Sequence, residues 1–261
     1  MRNVLTTYGA LDLDVYSPEL IASWNKRLDP LLESRDSDAR SYVGASELHD
    51  LGIFGEQFTP NLLASFETLQ EHPVLYHCHV YETAGEQTKP HIGSHNLNGW
   101  HRDIETLGVF PTDPLAFLSV FTLLSDVNDG DGAFEIVPRY PERIPNNGEP
   151  CVQMTGQAGR TLMWNRSFFH RASPNSGTRR RRILKLSIQP ARLPNDRLGL
   201  NEFTSIDGVG PELRSLLGAG HRFAQAALPN FNTPTPRGEV KLTTAGRVSY
   251  RVIQTARSLR K

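Results

Sequence analysis

The N-terminal segment combines one strand-like stretch with one amphipathic stretch. Apolar and polar residues alternate over positions 11–15, which predicts a short strand because successive side chains of a strand point to opposite faces. Apolar residues then recur at helical spacing after Ser17 and Pro18, which predict a helix start with Ser17 as the N-cap. Pro30 is expected to end or kink this helix, because proline removes a backbone donor.

A second amphipathic helix is predicted further along the N-terminal third. Thr59 and Pro60 repeat the N-cap and first-position pattern, and the helix is expected to end near residues 72–73. Residues 33–45 are polar and predict turns. Both helices are expected to support a sheet.

Short strand-like segments separated by glycine and proline turns occupy the middle of the chain. The first covers residues 74–81. The others are residues 116–124, 133–137, 151–154, 160–164 and 181–189. Strands of this number and spacing are typical of an antiparallel sandwich or jelly roll. The predicted fold class is mainly β with flanking helices, around a double-stranded β-helix (cupin-like jelly roll) core.

The strand-like pattern ends at Pro190, and the predicted domain organisation follows from this change. Residues 211–227 predict a helix, and the basic tail at 237–261 has seven Lys or Arg residues and one Glu. We predict a single domain over residues 1–261, made of an N-terminal strand and supporting helices at 1–73, a jelly-roll core at 74–190, and a mostly helical C-terminal extension at 191–261.

The composition narrows the classes of function. Lys+Arg equals Asp+Glu at 28 each, so neither nucleic acid nor a membrane surface is an expected partner. Two distant cysteines give neither a disulfide framework nor a cysteine-based zinc site. The first twenty residues carry charges and no apolar core, so no signal peptide is expected and the predicted location is the cytoplasm.

A His-x-Asp triplet at His101 and Asp103 is the leading candidate for chemistry. In an extended strand these two side chains project to the same face, where they supply two ligands of a two-histidine, one-carboxylate metal triad. Such a triad leaves three coordination positions of an octahedral metal open, which suits non-heme Fe(II) and O2. His170, on a late strand-like segment, is the expected third ligand. Alone, a His-x-Asp triplet also occurs as an ordinary surface pair.

A second histidine pair keeps a rival class of enzyme open. His77 and His79 have a spacing used by metal ligands, and a cupin-type dioxygenase or hydrolase built on them would not need 2-oxoglutarate. No matching third and fourth ligands are evident near them in the sequence. A non-catalytic binding module on the same barrel is a further alternative.

Residues 99–188 resemble the phytanoyl-CoA dioxygenase-like family of Fe(II)- and 2-oxoglutarate-dependent oxygenases. Trp100-His-Arg-Asp103 is similar to the family's Trp-His-x-Asp motif. In the family, the distal histidine is followed by an Asn five residues on and by a 2-oxoglutarate-binding Arg eleven residues on. Here these positions are Asn175 and Arg181, counted from His170. Arg139-Tyr140-Pro141 departs from the family's usual Gly-Ser-His.

Arg181 is one of four consecutive arginines, Arg179 to Arg182. The family spacing selects Arg181, and strand alternation separates Arg179 and Arg181 from the other two. A guanidinium binds a carboxylate through a two-pronged contact that lysine cannot reproduce. Arg179 and Arg182 remain alternatives, and a solvated basic turn is the ordinary interpretation of such a run.

The resemblance implies an oxidoreductase with Fe(II), 2-oxoglutarate and O2. It implies hydroxylation of a C–H bond of a small organic molecule, coupled to decarboxylation of 2-oxoglutarate to succinate and CO2. Related halogenases lack the carboxylate ligand, so Asp103 favours oxidation over halogenation. Desaturation and ring closure remain open.

Several further residues are candidates for binding the cosubstrate or the substrate. His79 and Tyr81 are candidates for 2-oxoglutarate binding. The candidates for the substrate pocket are Asn96, Asn98, Trp164 and Phe168. The basic tail could dock an acidic carrier protein or a second copy of the chain.

Overall fold

The computed structural model describes residues 1–35, 40–87, 99–103, 113–138, 144–146, 148–191 and 210–218. The described helices are α1 (Arg2–Thr7), α2 (Pro18–Glu33), α3 (Ala45–Asp50), α4 (Ile53–Glu56), α5 (Pro60–Leu69) and α6 (Pro211–Leu216). The described strands are β1 (Ala10–Leu13), β2 (Arg40–Gly44), β3 (Pro73–Thr83), β4 (Leu118–Leu123), β5 (Phe134–Ile136), β6 (Val152–Met154), β7 (Thr161–Asn165), β8 (His170–Ala172) and β9 (Arg181–Pro190).

The strands form two sheets with the connectivity of a jelly roll. Six strands lie in the order β1-β7-β4-β9-β3-β2, and three lie in the order β6-β5-β8. β7 pairs antiparallel with both β1 and β4, and β5 pairs antiparallel with both β6 and β8. The predicted fold class is confirmed, since the core is an antiparallel double-stranded β-helix with a few helices.

The chain folds as two compact units, and the first contains a core built from strands of both sheets. This first unit comprises Met1–Tyr42, Val80–Asp103 and Leu118–Lys185. Its core joins aromatic and aliphatic side chains from the two sheets, including Phe121, Phe134, Trp164, Phe168 and Ile183. Burial of each such side chain contributes roughly 1.5–3 kcal/mol of transfer free energy, so this cluster contributes substantially to the stability of the unit.

The second unit comprises Val43–His79, Ile104–Phe117 and Leu186–Lys261. Tyr76 packs with Ala116 and Phe117 in a buried cluster. The buried Gln70 side chain donates to the Leu115 carbonyl at 2.8 Å, and the Ala191 amide donates to the His72 carbonyl at 2.9 Å.

The two predicted helix starts are confirmed. The Ser17 hydroxyl accepts a hydrogen bond from the Leu20 amide at the start of α2, and the Thr59 hydroxyl accepts one from the Leu62 amide at the start of α5. Pro30 does not end α2, which continues to Glu33. Packing outweighs the helix-ending effect of the proline, because Leu32 beyond it is 2% exposed.

The predicted strands of the core are confirmed, and three predictions about local structure are wrong. The stretch at 33–45 is not only turns. Its residues 40–44 form β2, the edge strand of the larger sheet, and its residue 45 begins α3. His101 lies in an isolated antiparallel bridge to His170 rather than in a described strand. α6 ends at Leu216, ahead of Gly218 with its positive φ of 90°.

The division at residues 73 and 190, and the single domain itself, stay predictions. The predicted tail at 237–261 lies outside the described residues. Within the described ranges, no helix combines the length and the hydropathy needed to cross a membrane.

Candidate metal centre and cosubstrate site

His101 and His170 are held beside each other by their own backbones. The His101 amide donates to the His170 carbonyl at 3.1 Å, and the His170 amide donates to the His101 carbonyl at 3.0 Å. Their ring centroids lie 4.3 Å apart. Residues directly opposite each other in an antiparallel pair present their side chains on the same face, so the two imidazoles face one volume.

Asp103 completes a group of three possible ligands. Its Oδ1 lies 3.5 Å from His101 Nε2 and 3.7 Å from His170 Nε2. One ligand atom from each residue lies within 4.8 Å of the other two. Among the described residues this is the one group of three histidine, cysteine or acidic side chains that could hold a metal ion, and His77 and His79 are not part of one.

Both histidines are oriented by the same hydrogen bond. His101 Nδ1 lies 2.7 Å from the Gly99 carbonyl, and His170 Nδ1 lies 2.9 Å from the Phe168 carbonyl. A carbonyl can only accept, so each Nδ1 carries the proton and each Nε2 keeps its lone pair. The two lone pairs are on the side of Asp103, which is the tautomer that a divalent metal requires.

The pKa values of two members of the triad are shifted toward the metal-binding forms. Burial lowers the pKa of His170 to about 4 against the opposing effect of Asp103, so the ring is neutral at pH 7. Burial alone raises the pKa of Asp103, but the hydrogen bond and charge of His170, with Lys185 and His101, outweigh it. The pKa of Asp103 is therefore well below its usual range, and the carboxylate is ionised.

Arg166 holds the other oxygen of the Asp103 carboxylate. The Arg166 side chain is 4% exposed and its Nη2 donates to Asp103 Oδ2 in a charge-assisted hydrogen bond. Oδ1 is the oxygen that faces the two imidazoles. Arg166 is not among the site residues predicted from the sequence. A signal was present, because Arg166 is the single charged residue in the otherwise apolar or neutral stretch from Thr161 to His170.

Arg181 differs from its three arginine neighbours in burial and in partners. Arg181 is 1% exposed, and its Nε and Nη1 have no hydrogen-bond partner. The others form ion pairs: Arg179 with Asp131 at 2.7 Å, Arg180 with Glu82 at 3.4 Å, and Arg182 with Glu82 at 2.8 Å and with Asp29 at 2.8 Å. A buried cation without an anionic partner is costly, so Arg181 is the member of the run that calls for an external anion.

Asn175, at the family's asparagine position, closes a turn. Its side-chain amide donates to the Ala84 carbonyl at 3.1 Å and to the Arg179 carbonyl at 2.8 Å. Gly132 approaches so closely that a Cβ there would lie 2.9 Å from the Asn175 Cβ. These contacts fix the segment between His170 and Arg181.

The remaining predicted site residues lie in several environments. Tyr81 is 3% exposed and its ring centroid lies 5.7 Å from the Arg181 Cζ atom. Trp164 and Phe168 belong to the buried core, and the Trp164 ring lies 4.3 Å from the His170 ring. His79 lies in the second unit, next to His77. Asn96 and Asn98 lie outside the described residues.

The stretch of chain that contains this site matches a known protein family. Residues 65–183 match the model of the phytanoyl-CoA dioxygenase (PhyH) family. Among curated proteins, no sequence matches the chain.

Comparison with solved structures gives the same fold at low sequence identity. The epimerase SnoN, in complex with Fe3+, alpha ketoglutarate and nogalamycin RO, is 17% identical with a TM-score of 0.58 over 80% of this chain and 90% of its own. The alpha-ketoglutarate-dependent carbocyclase SnoK, from nogalamycin biosynthesis, is 15% identical with a TM-score of 0.54 over 72% and 82%. The non-heme monooxygenase ThoJ, as its Ni complex, is 13% identical with a TM-score of 0.59 over 99% and 97%.

The jelly-roll fold and the family match define the class of this protein as a 2-oxoglutarate-dependent oxygenase, which uses Fe(II), 2-oxoglutarate and O2. Within that class, the resemblance to the phytanoyl-CoA dioxygenase family is confirmed by the match over residues 65–183. The donor set of two imidazoles and one carboxylate fits Fe(II). The buried, unpartnered guanidinium of Arg181 fits the far carboxylate of the cosubstrate.

Proposed function

We propose that His101, Asp103 and His170 bind Fe(II), that Arg181 binds the far carboxylate of 2-oxoglutarate, and that the enzyme hydroxylates a C–H bond of a small organic molecule. The observation that carries this proposal is the approach of the three ligand atoms to within 4.8 Å of one another. The paired backbones of His101 and His170 make that approach independent of any ligand.

Each residue of the site has a separate role in this reaction. His101 and His170 offer neutral Nε2 atoms, and Asp103 offers the anionic Oδ1. When bound, iron with 2-oxoglutarate supplies the activation of O2, in which one oxygen atom enters succinate and the other enters the substrate. Arg166 keeps the Asp103 carboxylate oriented. Arg181 fixes the cosubstrate at the end that does not react.

The substrate class is proposed from the solved relatives. SnoN and SnoK are described as enzymes of nogalamycin biosynthesis, an epimerase and a carbocyclase. ThoJ is described as a monooxygenase. These descriptions support a small organic substrate, such as a natural-product intermediate, for this chain. Hydroxylation is proposed rather than ring closure because oxygen insertion is the outcome that the family resemblance implies. Docking of an acidic carrier protein and self-association through the tail stay predictions.

An anaerobic titration tests the binding part of the proposal. Fe(II) and 2-oxoglutarate are added to the metal-free protein, and the visible spectrum is recorded. A weak metal-to-ligand charge-transfer band is expected, because the 2-oxo acid end of the cosubstrate chelates the metal. Asp103→Ala is expected to abolish the band, and Arg181→Ala to require far more 2-oxoglutarate for the same intensity.

A matched control separates site effects from folding effects. Arg179→Ala changes an arginine of the same run whose side chain is 54% exposed and bound to Asp131, so the band should be unchanged. Absence of a band in the wild type at saturating cosubstrate would overturn the proposal. Release of succinate in the presence of candidate substrates then identifies the substrate and the product.

A further inference from the structure

A second arginine lies against the aromatic ring that Arg181 contacts. Arg40, on the edge strand β2, places its Cζ atom 3.9 Å from the centroid of the Tyr81 ring and 5.2 Å from that of Tyr42. Arg181 Cζ lies 5.7 Å from the same Tyr81 centroid. The Tyr42 and Tyr81 centroids are 6.3 Å apart. All four side chains belong to the first unit.

Neither guanidinium is neutralised by the described protein. The Arg40 Nε is buried and lacks a hydrogen-bond partner, as do the Nε and Nη1 of Arg181. No carboxylate of the described residues forms an ion pair with either arginine. Burial and the charge of Arg40 both lower the pKa of Arg181, which reflects two like charges held near each other. The Tyr81 ring attracts both cations through a cation–π contact.

Two cations beside one ring, the buried Arg181 and the half-buried Arg40, are stabilised when one anion binds both of them. A carboxylate has four lone-pair sites and can accept hydrogen bonds from two guanidiniums at once. Among the described residues, Arg40 and Arg181 have buried donor atoms and no carboxylate paired with them, so they favour a ligand that brings its own negative charge.

We propose that Arg40 is a second binding residue for the far carboxylate of 2-oxoglutarate, beside Arg181 at the Tyr81 ring, and that it sets the preference for a cosubstrate that ends in a carboxylate. This inference rests on the proposed function, since it assumes that Arg181 binds that carboxylate. It adds a residue from the N-terminal part of the chain, outside the residues 65–183 that match the family.

Two 2-oxo acids that differ only at the far end isolate the role of Arg40. 2-Oxoglutarate ends in a carboxylate, whereas 2-oxopentanoate has the same chelating end and a methyl group at the far end. Each is titrated anaerobically into the Fe(II)-loaded protein, and the midpoint of the charge-transfer band gives the apparent affinity. Arg40→Met is expected to weaken 2-oxoglutarate binding about 10- to 100-fold and to leave 2-oxopentanoate binding unchanged.

Further variants keep the result interpretable. Arg40→Lys retains the positive charge but not the two-pronged contact of a guanidinium, and should give an intermediate loss of affinity for 2-oxoglutarate. Arg27→Met removes an arginine of α2 that donates to the Ser23 carbonyl within its own helix, and should change neither affinity. A metal-free measurement gives an independent readout: glutarate, which has no chelating end, should raise the unfolding midpoint of the wild type but not that of Arg40→Met.

The outcomes distinguish this inference from the function on which it depends. If Arg181→Met weakens 2-oxoglutarate binding and Arg40→Met does not, the role of Arg40 is overturned while the proposed function stands. Equal weakening of both 2-oxo acids by Arg40→Met would assign Arg40 to packing and would also overturn the inference. If neither arginine variant changes the affinity for 2-oxoglutarate, both proposals fail.

Discussion

At the scale of single residues, Arg166 is expected to affect the affinity for the metal, although it is not itself a ligand. It is nearly fully buried and donates to the Asp103 oxygen that faces away from the imidazoles. Without it, that carboxylate can rotate. Arg166→Leu is expected to weaken Co(II) binding about 10- to 100-fold, as is typical for loss of an outer-shell partner of a metal ligand.

The Co(II) affinity is measured by absorption titration in the absence of 2-oxoglutarate. Arg166→Lys, which can still donate one hydrogen bond, should recover part of the lost affinity. Arg171→Leu is the matched control, because Arg171 follows His170 directly but pairs with Glu135. Unchanged Co(II) affinity in Arg166→Leu would contradict the orienting role.

The sequence indicated some site residues and concealed others, for physical reasons. Motif spacing selected His101, Asp103 and Arg181, and the structure places the first two beside His170 and leaves Arg181 buried. Arg40 and Arg166 belong to no recognised motif. Their positions depend on strand pairing between distant segments, which neither local pattern nor spacing reveals.

At the scale of elements, Glu135 ties together the three strands of the smaller sheet. Gln153 Nε2 and the Ser173 hydroxyl donate to Glu135 Oε1 at 2.9 and 2.6 Å, and Arg171 Nε donates to Oε2 at 2.5 Å. Burial opposes ionisation, but the hydrogen bonds from Ser173, Arg171 and Gln153 outweigh it and lower the pKa of Glu135. The ionised form therefore stabilises the folded state.

The lowered pKa gives a signed dependence of stability on pH. The contribution of Glu135 is fully present above its unfolded pKa, near 4.5, and is lost as the pH falls through the lower folded value. Glu135→Gln should lower the free energy of unfolding at pH 7 by about 1–3 kcal/mol and should reduce the loss of stability below pH 4.5. Urea unfolding across pH 3–7 measures both effects.

The comparison variant for this experiment is Glu67→Gln, which changes an exposed carboxylate of α5. Its stability should follow that of the wild type at each pH. If Glu135→Gln followed the wild type as closely, the cross-strand network would not contribute to the acid sensitivity of the fold.

Elements were predictable where the local pattern and the tertiary packing agree. The capped starts of α2 and α5 and the apolar runs of β3 and β4 are of this kind. β2 was missed because it is short and lies within a mostly polar stretch, and it forms a strand through pairing at the sheet edge. α2 continues past Pro30 because the apolar residue beyond it is buried in the core.

At the scale of the whole molecule, metal and cosubstrate should stabilise the fold together. A ligand that binds only the folded state adds about 2.7 kcal/mol when its concentration is 100 times its dissociation constant. Anaerobic Fe(II) with 2-oxoglutarate is therefore expected to raise the midpoint of thermal unfolding, and a chelator should reverse the increase. Differential scanning calorimetry measures the change.

A variant of the metal triad tests whether this stabilisation requires binding of the ligands at the proposed site. Asp103→Ala should unfold at the same temperature with and without the two ligands. An increase in that variant as large as in the wild type would place the binding elsewhere in the molecule.

The hydrogen bonds from both histidine rings to main-chain carbonyls have a consequence for how the protein can change over evolutionary time. Each Nδ1 is bound by the carbonyl two residues before it, at Gly99 or Phe168. A carbonyl is present at every residue, so the bond itself needs no particular side chain, and only the φ of 83° at Gly99 favours glycine there. Substitutions that preserve the backbone path can therefore accumulate around the centre without rotating either imidazole. The surrounding pocket is free to diversify toward new substrates while the ligand geometry is inherited unchanged.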